Sequence, residues 1–388
     1  MIFSHISDIH IHNLKYHKEQ AKVFEKVYEH LKQRKVDANV LTGDLFHIKG
    51  NVTPEAYQMA ADFLKSLADI APTHIILGNH DLILSNKNRL DSVTPVVEAL
   101  NHPNLFLHKH SAEITVENFA FNVMSILDEP SEWIPISNPN VVNIGLFHGA
   151  VKGVMNDQDW VMDHGDIDVG AFENFDYVML GDIHRPNQFV DVEGRVRYAG
   201  SLCQNNFGEP DNRGFLIWDI EDKNNYKVEH IHIPNPKPFV NVLLERGGTL
   251  PIDFSCPVGS RVRVISYSDL SSDKIKKALD TIKKKFKPET LSFQNKTKSS
   301  EVRSSISDST NNTNLRDEEV QKKLIKEYLK DFTVSDKVLD EIYSLNAKYN
   351  KEAEASEEVS RNVHWRLKKL KWDNLFNYGE GNEIDFTK

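Results

Sequence analysis

Polar side chains that can bind metal ions recur in this sequence where short apolar segments end. Aspartate, asparagine and histidine stand at five such points, in the runs SDIH, TGDLFH, GNHD, LFHG and GDIH. Together they supply the mixed oxygen and nitrogen ligands expected for manganese, iron or zinc rather than for calcium. One such run is more often an ordinary turn, but five in order predict a two-metal centre. The candidate residues are Asp8, His10, Asp44, His47, Asn79, His80, Asp81, His148, Asp182 and His184.

Alternating short strands and helices would position these side chains. The segments that begin MIFSH, ANVLT and THIIL predict strands, and the two segments between them, KEQAKVFEKVYEHLKQRK and PEAYQMAADFLKSLAD, have helical spacing of apolar residues. This βαβαβ order predicts a sheet with helices packed on it. Further strands are predicted at NVVNIGLFHG, FDYVMLGDIH, RVRYAGS and GFLIWDI. Because loops at strand ends usually carry the chemistry of such folds, the polar residues should line one rim of the sheet.

Composition limits the class of protein. A chain of 388 residues, 39% of them hydrophobic and 27% charged, can form two or three domains. No apolar stretch approaches the roughly 18 residues that cross a bilayer, and no signal pattern begins the chain, so we expect a cytoplasmic protein without membrane contact. Cys203 and Cys256 lack a C-x-x-C partner and predict neither a zinc knuckle nor a disulfide framework. The net charge of −10 argues against a uniformly basic nucleic-acid surface but permits a local basic cleft.

The second half of the chain contains a strand and helix region, a polar linker and a pair of helices. FVNVLLE and SRVRVISYS predict strands, and a Lys-rich helix follows them, with an apolar stripe that includes Ile275, Ile282 and Phe286. Its lysines form either a solvated helix face or an edge that faces DNA. The run NKTKSSEVRSSISDSTNNTN predicts a flexible linker, and two amphipathic helices come after it. Because this helix pair has too little core to stand alone, its apolar face should dock on another surface.

The ordered motifs resemble those of the calcineurin-like metallophosphoesterases. More narrowly, ISDIHIH, TGDLFH, FDYVMLGDIHRPNQF and RYAGSLCQNNFGEPDNRGF resemble the SbcD-type (Mre-type) nuclease subunit of a double-strand-break repair complex, including its phage-encoded relatives. The resemblance implies an α/β fold: a metallophosphoesterase β-sandwich flanked by helices, a small α+β capping domain and a C-terminal helical hairpin. The motifs that carry it are Asp8-x-His10, Gly43-Asp44, Gly78-Asn79-His80-Asp81, His148-Gly149 and Gly181-x-x-His184.

The resemblance also implies which residues bind metal. Two Mn²⁺ ions are implied, with Mg²⁺ or another divalent metal as alternatives. Asp182 departs from the family pattern, which usually has histidine there, and its negative charge would shift the metal preference or the acidity of a bound water. A role for Asp182 other than metal binding is the alternative. The implied ligands are Asp8, His10 and His184 for one ion, Asn79, His148 and Asp182 for the other, and Asp44 between them.

The expected chemistry is hydrolysis of a phosphodiester. Two cations about 3.5 to 4 Å apart neutralise the anionic substrate and lower the pKa of a shared water, whose hydroxide attacks phosphorus. His80 would protonate the leaving oxygen, and Asp81 could orient the His80 ring. By the family pattern His47 contacts the scissile phosphate or assists catalysis, and a structural hydrogen bond is the alternative. The remaining histidines considered, which match no motif, are His5, His12, His17, His108, His110 and His164.

By this resemblance the chain divides into five segments. The helical hairpin would bind a coiled-coil SbcC-type ATPase, and the last segment resembles the opening β-hairpin of that ATPase. We therefore expect the nuclease part of a nuclease and ATPase fusion, with a hairpin that merely packs on the domain as the alternative. DNA and a second copy of the chain are further expected partners. The segments are the nuclease domain at 1–225, the capping domain at 226–292, the linker at 293–314, the helical hairpin at 315–358 and the β-hairpin at 359–388.

The predicted function is a manganese-dependent DNA nuclease, an exonuclease on duplex ends and an endonuclease on single strands. It would serve DNA repair and recombination in the cytosol of a bacterium or of a phage-infected host. One alternative is a metallophosphoesterase that acts on nucleotides or phosphoproteins, although TGDLFH and the capping-like features favour the nuclease. The other is a catalytically weak scaffold that tethers DNA for the ATPase.

Overall fold

The computed structural model describes residues 1–297, 318–329, 334–356, 368–372 and 381–385. It divides the chain into two compact units, Met1–Thr297 and Lys298–Lys388. The strands are β1 (Ile2–Ile6), β2 (Ala38–Thr42), β3 (Thr73–Ile76), β4 (Leu105–His108), β5 (Ala112–Val116), β6 (Phe119–Met124), β7 (Val142–His148), β8 (Tyr177–Gly181), β9 (Gln188–Phe189), β10 (Val196–Tyr198), β11 (Gly214–Ile220), β12 (Tyr226–His232), β13 (Phe239–Leu243), β14 (Arg261–Ser266), β15 (Thr290–Asn295), β16 (Lys369–Trp372) and β17 (Asn382–Asp385). The helices are α1 (Leu14–Arg34), α2 (Pro54–Ile70), α3 (Thr94–Leu100), α4 (Ser272–Phe286), α5 (Glu318–Leu329) and α6 (Asp336–Ser356).

Two six-stranded sheets face each other in the first unit. The first has the order β12-β11-β1-β2-β3-β4, parallel from β1 to β4, and the second has the order β5-β6-β7-β8-β10-β9, parallel from β6 through β10. Rings from both sheets meet between them: the centroids of Phe3 and Phe121 lie 5.5 Å apart, and those of Tyr177 and Trp218 lie 6.1 Å apart. The predicted β-sandwich is therefore confirmed.

Helices α1 and α2 cover the outer face of the first sheet. The rings of Phe24 and Phe63 are buried against each other there, with centroids 4.3 Å apart, in a core that also contains Ile75. Each helix buries one apolar stripe, as the spacing of apolar residues predicts. The start of α2 has the residues expected at a helix N-terminus. The Thr53 side chain accepts a hydrogen bond from the N–H of Ala56, and Pro54 is the first residue of the helix.

The last strands of the first unit form a small parallel sheet, β13-β14-β15, packed against α4. This is an α+β element of the kind expected for a capping domain. Strand β12, which the sequence placed in that domain, instead pairs with β11 at the edge of the first large sheet. A bidentate ion pair joins the small sheet to α1, because Arg261 Nη1 and Nη2 lie 2.9 and 2.8 Å from the two carboxylate oxygens of Glu19. The lysines of α4 are exposed.

In the second unit, α5 and α6 are the two helices predicted after the linker, and the Gln321 side chain accepts a hydrogen bond from Asn346 Nδ2 at 2.8 Å. Strands β16 and β17 pair antiparallel, with Leu370 opposite Ile384. From residue 298 onward the predicted linker lies outside the described residues, and so do residues 359–367, 373–380 and 386–388 of the predicted β-hairpin. Among the helices described, none combines the length and apolar character that crossing a membrane requires.

Candidate metal centre

The carboxyl ends of β1, β2, β3, β7 and β8 meet at one rim of the two sheets. The four predicted ligands that follow these strands in strained backbone are Asp8 (φ 49°), His10 (φ 45°), Asp44 (φ 57°) and Asp182 (φ 94°). A positive φ is uncommon for residues other than glycine and costs on the order of 1–3 kcal/mol each. Such strain persists at functional sites, where it directs side chains that a relaxed backbone would turn elsewhere.

Asp8, His10 and His184 form the first group of ligand atoms. Nε2 of His10 and Nε2 of His184 lie 2.9 Å apart, and each is 3.8 Å from Oδ1 of Asp8. Oδ2 of Asp8 accepts hydrogen bonds from Ser7 Oγ at 2.6 Å and from the N–H of Asp182 at 3.2 Å. Oδ1 is buried without a hydrogen-bond partner. Since a buried carboxylate oxygen needs a partner, a cation fits this position.

Asp44, Asn79, His148 and Asp182 form the second group. Nδ1 of His148 donates to the Thr42 carbonyl at 2.7 Å, which leaves Nε2 buried and unpartnered. This Nε2 is 3.4 Å from Oδ1 of Asp44 and 3.7 Å from Oδ1 of Asp182. Nδ2 of Asn79 donates to the same Asp182 oxygen at 2.6 Å. Asp182 therefore lies in the second group even though it replaces the histidine usual in the resembling family.

The Asp44 carboxylate stands between the two groups. Its Oδ2 is 3.6 Å from Nε2 of His10, while its Oδ1 is 3.4 Å from Nε2 of His148. One carboxylate thus offers an oxygen to each side, as a bridging ligand does. The orphaned atoms of Asp8 and His148 and the mixed oxygen and nitrogen donors fit two divalent cations at this rim.

Charges in the cluster are strongly coupled. Burial and the nearby Asp8 carboxylate raise the pKa of Asp44 to about 6. Although burial acts in the opposite direction, the surrounding carboxylates raise the pKa of His148 to about 9, with Asp44 the strongest. Burial and the His184 ring lower the pKa of His10 well below its usual range. Crowded carboxylates and imidazoles with opposed shifts are typical of a site that a positive ion completes.

Three glycines allow the strand ends to approach one another. A Cβ on Gly78 would lie 2.2 Å from Oδ1 of Asp44, and one on Gly43 would lie 2.5 Å from Nδ1 of His148. A Cβ on Gly181 would lie 2.0 Å from the Thr42 carbonyl oxygen. Any side chain at these positions would therefore displace a candidate ligand or the carbonyl that orients one.

His80 lies at the centre, but Asp81 does not orient its ring as expected. Nδ1 of His80 donates to the His47 carbonyl at 2.7 Å, and the N–H of His80 donates to Oδ1 of Asp44 at 2.8 Å. The Asp81 carboxylate instead accepts backbone N–H groups from Gly78 and Asp44 at 2.9 Å, and also from Leu45 and Phe46. Asp81 therefore ties together the loops after β2 and β3.

The His47 side chain lies near the cluster together with a histidine that the sequence left unassigned. The ring centroid of His47 is 5.4 Å from that of His10 and 3.9 Å from that of His12. Burial and the His12 ring lower the pKa of His47 to about 4. His12 Nε2 is hydrogen-bonded to Oδ1 of Asn205 at 2.8 Å. The position of His12 two residues after His10, in the same loop, was the signal that could have identified it.

Glu209 and Arg213 support His184 and were also missed. Oε1 of Glu209 accepts a hydrogen bond from His184 Nδ1 at 3.1 Å. Arg213 is fully buried, donates to the His184 carbonyl, and places Nη2 2.8 Å from Oδ2 of Asp157 and 3.5 Å from Oε2 of Glu209. A carboxylate on the far nitrogen of a metal-binding histidine fixes its tautomer and its orientation. Both residues lie within the run FGEPDNRGF, already singled out in the sequence.

Comparison with known proteins agrees with this geometry. The family model for calcineurin-like phosphoesterase matches residues 1–248. Protein R555 of Acanthamoeba polyphaga mimivirus is 30% identical over 406 residues, which cover 98% of this chain and 29% of that protein. One subunit of the nuclease SbcCD of Staphylococcus epidermidis is 25% identical over 243 residues, 56% of this chain and 63% of that relative. The DNA double-strand break repair protein Mre11 of Methanopyrus kandleri is 22% identical over 267 residues, 60% of this chain and 57% of that protein. The chain thus spans less than two thirds of the length of each of these relatives.

Proposed function

Because this chain belongs to the calcineurin-like phosphoesterase family, we propose that it is a two-metal nuclease that hydrolyses DNA phosphodiesters. It would act as an exonuclease on duplex ends and as an endonuclease on single strands. The observation that carries the proposal is the position of Asp44, whose two oxygens lie 3.6 Å from His10 Nε2 and 3.4 Å from His148 Nε2. The names of the SbcCD and Mre11 relatives support DNA as the substrate.

Different side chains at the rim would have different roles in this reaction. Two Mn²⁺ ions, when bound, would neutralise the phosphodiester and acidify a water molecule. Asp8, His10 and His184 would hold one ion, and His148 with Asp182 would hold the other. The His47 carbonyl fixes His80 through Nδ1, so Nε2 is the nitrogen that remains to donate a proton to the leaving oxygen.

Three partners belong to the same proposal. The exposed lysines of α4 would track the DNA backbone, since the protein as a whole is acidic and needs a local basic surface. The amphipathic pair α5 and α6 would bind a coiled-coil ATPase, and a second copy of the chain would complete a dimer. The names of the same two relatives support this class of complex. Cytosolic DNA repair is the setting that we propose for it.

The test is degradation of an end-labelled duplex and a circular single strand with Mn²⁺, Mg²⁺ or chelator. Three chains are compared: the native protein, His80→Ala, and His110→Ala as a matched control with a side chain that is 71% exposed. We expect Mn²⁺-dependent cutting by the native and control chains. His80→Ala should lose about 10²- to 10⁴-fold in rate, because it removes a general acid, while it still binds two metals by mass spectrometry.

Two results would contradict the proposal. Hydrolysis of a small phosphodiester with no cutting of either DNA would favour a phosphoesterase that acts on nucleotides. A native chain that binds no metal after Mn²⁺ loading would favour the DNA-tethering scaffold.

A further inference from the structure

The loop of residues 204–209, between β10 and β11, holds a proposed metal ligand in place. Oε1 of Glu209 accepts a hydrogen bond from His184 Nδ1 at 3.1 Å. The loop also fixes the Glu209 carboxylate, because the N–H of Asn205 donates to Oε2 at 2.7 Å and Nδ2 of Asn206 donates to Oε1 at 3.0 Å. The orientation of the His184 ring therefore depends on the position of this loop.

The Gln204 side chain attaches the loop to the small sheet. Its Oε1 accepts from the N–H of Phe239, the first residue of β13, at 2.8 Å, and its Nε2 donates to the Phe239 carbonyl at 2.9 Å. Both backbone groups of Phe239 are thus bonded as a neighbouring strand would bond them. Nε2 also donates to the Glu209 carbonyl at 2.7 Å. One buried carboxamide therefore joins the small sheet to the residue that holds His184.

The Phe207 ring makes a second attachment to the same sheet. The guanidinium carbon of Arg263, in β14, lies 4.0 Å from the centroid of this ring. The Phe239 ring meets the Phe207 ring edge to face, with centroids 5.1 Å apart. Nδ2 of Asn241 donates to the Phe207 carbonyl at 2.6 Å. A cation over an aromatic face, a ring pair and a hydrogen bond together fix the middle of the loop.

The loop needs this external support to serve the metal centre. Residues 204–209 form no helix or strand, so their order must come from the surfaces on which they pack. The partner of a metal-binding histidine has to be held within about 0.5 Å of its working position. Arg213 supports Glu209 from one side, with Nη2 3.5 Å from Oε2. The small sheet supplies the other attachments.

We propose that Phe207 and Arg263 are positioning residues for His184, and that Gln204 belongs to the same set. This role rests on the proposed function, because it takes His184 as a metal ligand. It makes the small sheet a supporting part of the metal centre, although β13 and β14 carry no proposed ligand. Displacing the sheet would therefore weaken the metal position that contains His184 and leave the other position unchanged.

The test observes the His184 ring in the metal-free full chain, by ¹H–¹³C NMR of protein labelled at the Cε1 atoms of histidine. The His184 signal is the one that His184→Gln removes. Phe207→Leu removes the ring that Arg263 covers and should shift and broaden this signal, whereas Phe207→Tyr keeps a ring and should leave it near its native position. Phe254→Leu is the matched control, because Phe254 packs on Phe286 in the core of the small sheet, with ring centroids 5.2 Å apart. It should leave the His184 signal unchanged.

Calorimetric titration with Mn²⁺ gives a second measurement on the same chains. Phe207→Leu should weaken one binding step by about 2- to 10-fold and leave the other step unchanged, because it acts on His184 through Glu209. Phe207→Tyr should recover most of the loss. Arg263→Met should act like Phe207→Leu, and the double variant should be little worse than either single variant, since both remove one shared contact.

Two results would overturn the proposal. One is a native-like His184 signal, or native-like affinities for both Mn²⁺ ions, in folded Phe207→Leu. The other is an equal change of the signal in Phe254→Leu. Thermal unfolding shows which variants fold, and Arg263→Met, at a partly exposed side chain, provides the same comparison if Phe207→Leu does not. Failure of the proposed nuclease is distinguishable, because the metal-free signal would still respond to Phe207→Leu in a chain that cut no DNA.

Discussion

The two halves of the proposed metal centre are built from different atoms. The first half has two imidazoles, His10 and His184, with the Asp8 carboxylate. The second half has one imidazole, His148, with the carboxylate of Asp182, to which Asn79 donates through Nδ2. Asp44 belongs to both. Because oxygen ligands suit hard cations and imidazole suits softer transition metals, the two positions should differ in the metal that they prefer.

The halves also differ in how their ligands are supported. His184 is held by Glu209, whose side chain is 5% exposed, and Glu209 is in turn near the buried Arg213. On the other side, Oδ1 of Asn79 is held by the exposed Lys49 at 3.1 Å. A buried charge-assisted hydrogen bond fixes geometry far better than an exposed one. The first position should therefore be the more rigid, and the second the more adaptable.

The largest effect should come from the residue that the halves share. Asp44→Asn keeps the shape and tolerates the left-handed backbone but removes the charge that serves both positions. We expect loss of both metals and a fall in hydrolysis of about 10³-fold or more. Asp168→Asn is a matched control, with a side chain that is 81% exposed. The number of bound metal ions would be measured by mass spectrometry. If Asp44→Asn still bound two ions, Asp44 would not be a ligand shared by the two positions.

Glu209→Ala should weaken the first half alone. It frees the His184 ring, and loss of such an outer partner typically costs 10- to 100-fold in metal affinity. Glu209→Gln keeps an oxygen acceptor for His184 Nδ1 and should recover most of the loss. Calorimetric titration with Mn²⁺ would resolve the two binding steps. Equal weakening of both steps would show that the support is not confined to one half.

Asp182→His should change the metal preference of the second half. The substitution exchanges an oxygen ligand for a nitrogen ligand and removes one negative charge. We expect the rate with Mg²⁺ to fall relative to the rate with Mn²⁺ by about 10-fold, since Mg²⁺ depends more strongly on oxygen ligands. Asp182→Asn serves as the control that removes the charge but keeps an oxygen. A constant ratio of the two rates in Asp182→His would mean that Asp182 does not bind metal.

Lys49→Ala should have the smallest effect. The side chain is exposed, so its hydrogen bond to Asn79 is screened by water and worth little. We expect less than about a threefold change in affinity for the second metal by the same titration. A loss of metal affinity as large as the loss caused by Glu209→Ala would show that the ligands of the two halves are held equally firmly.

The sequence predicted which polar residues gather at this rim better than it predicted the contacts that their neighbours make. Asp8 and Asp44 follow two neighbouring strands of the first sheet, and His148 ends a strand of the second sheet. Their places at strand ends could be predicted locally, and the packing of the two sheets brings them to one rim. The role predicted for Asp81 was wrong because its position next to His80 in the sequence does not show where its side chain points. Its carboxylate accepts hydrogen bonds from backbone N–H groups instead. Glu209 could not be assigned from spacing, since its contact with His184 depends on how the loop before β11 folds back.

The domain pattern shows the same limit. An apolar alternation at β12 is compatible with either of two sheets, and the choice depends on its hydrogen bonds to β11, whose register pairs Gly214 with His232. A Cβ on Gly214 would lie 1.8 Å from the Ile231 carbonyl oxygen, so a close approach that only glycine permits lies within this pairing. A single sequence shows that glycine but not the strand that it meets.

The left-handed backbone at Asp8, His10, Asp44 and Asp182 has an evolutionary consequence. Glycine at any of these positions would relieve strain, so selection for folding stability alone would replace them. A lineage released from phosphoester chemistry should therefore drift to glycine or asparagine here first, and gain heat tolerance as it does so. In this chain four residues other than glycine keep this backbone at one rim, as selection for the proposed metal site would require.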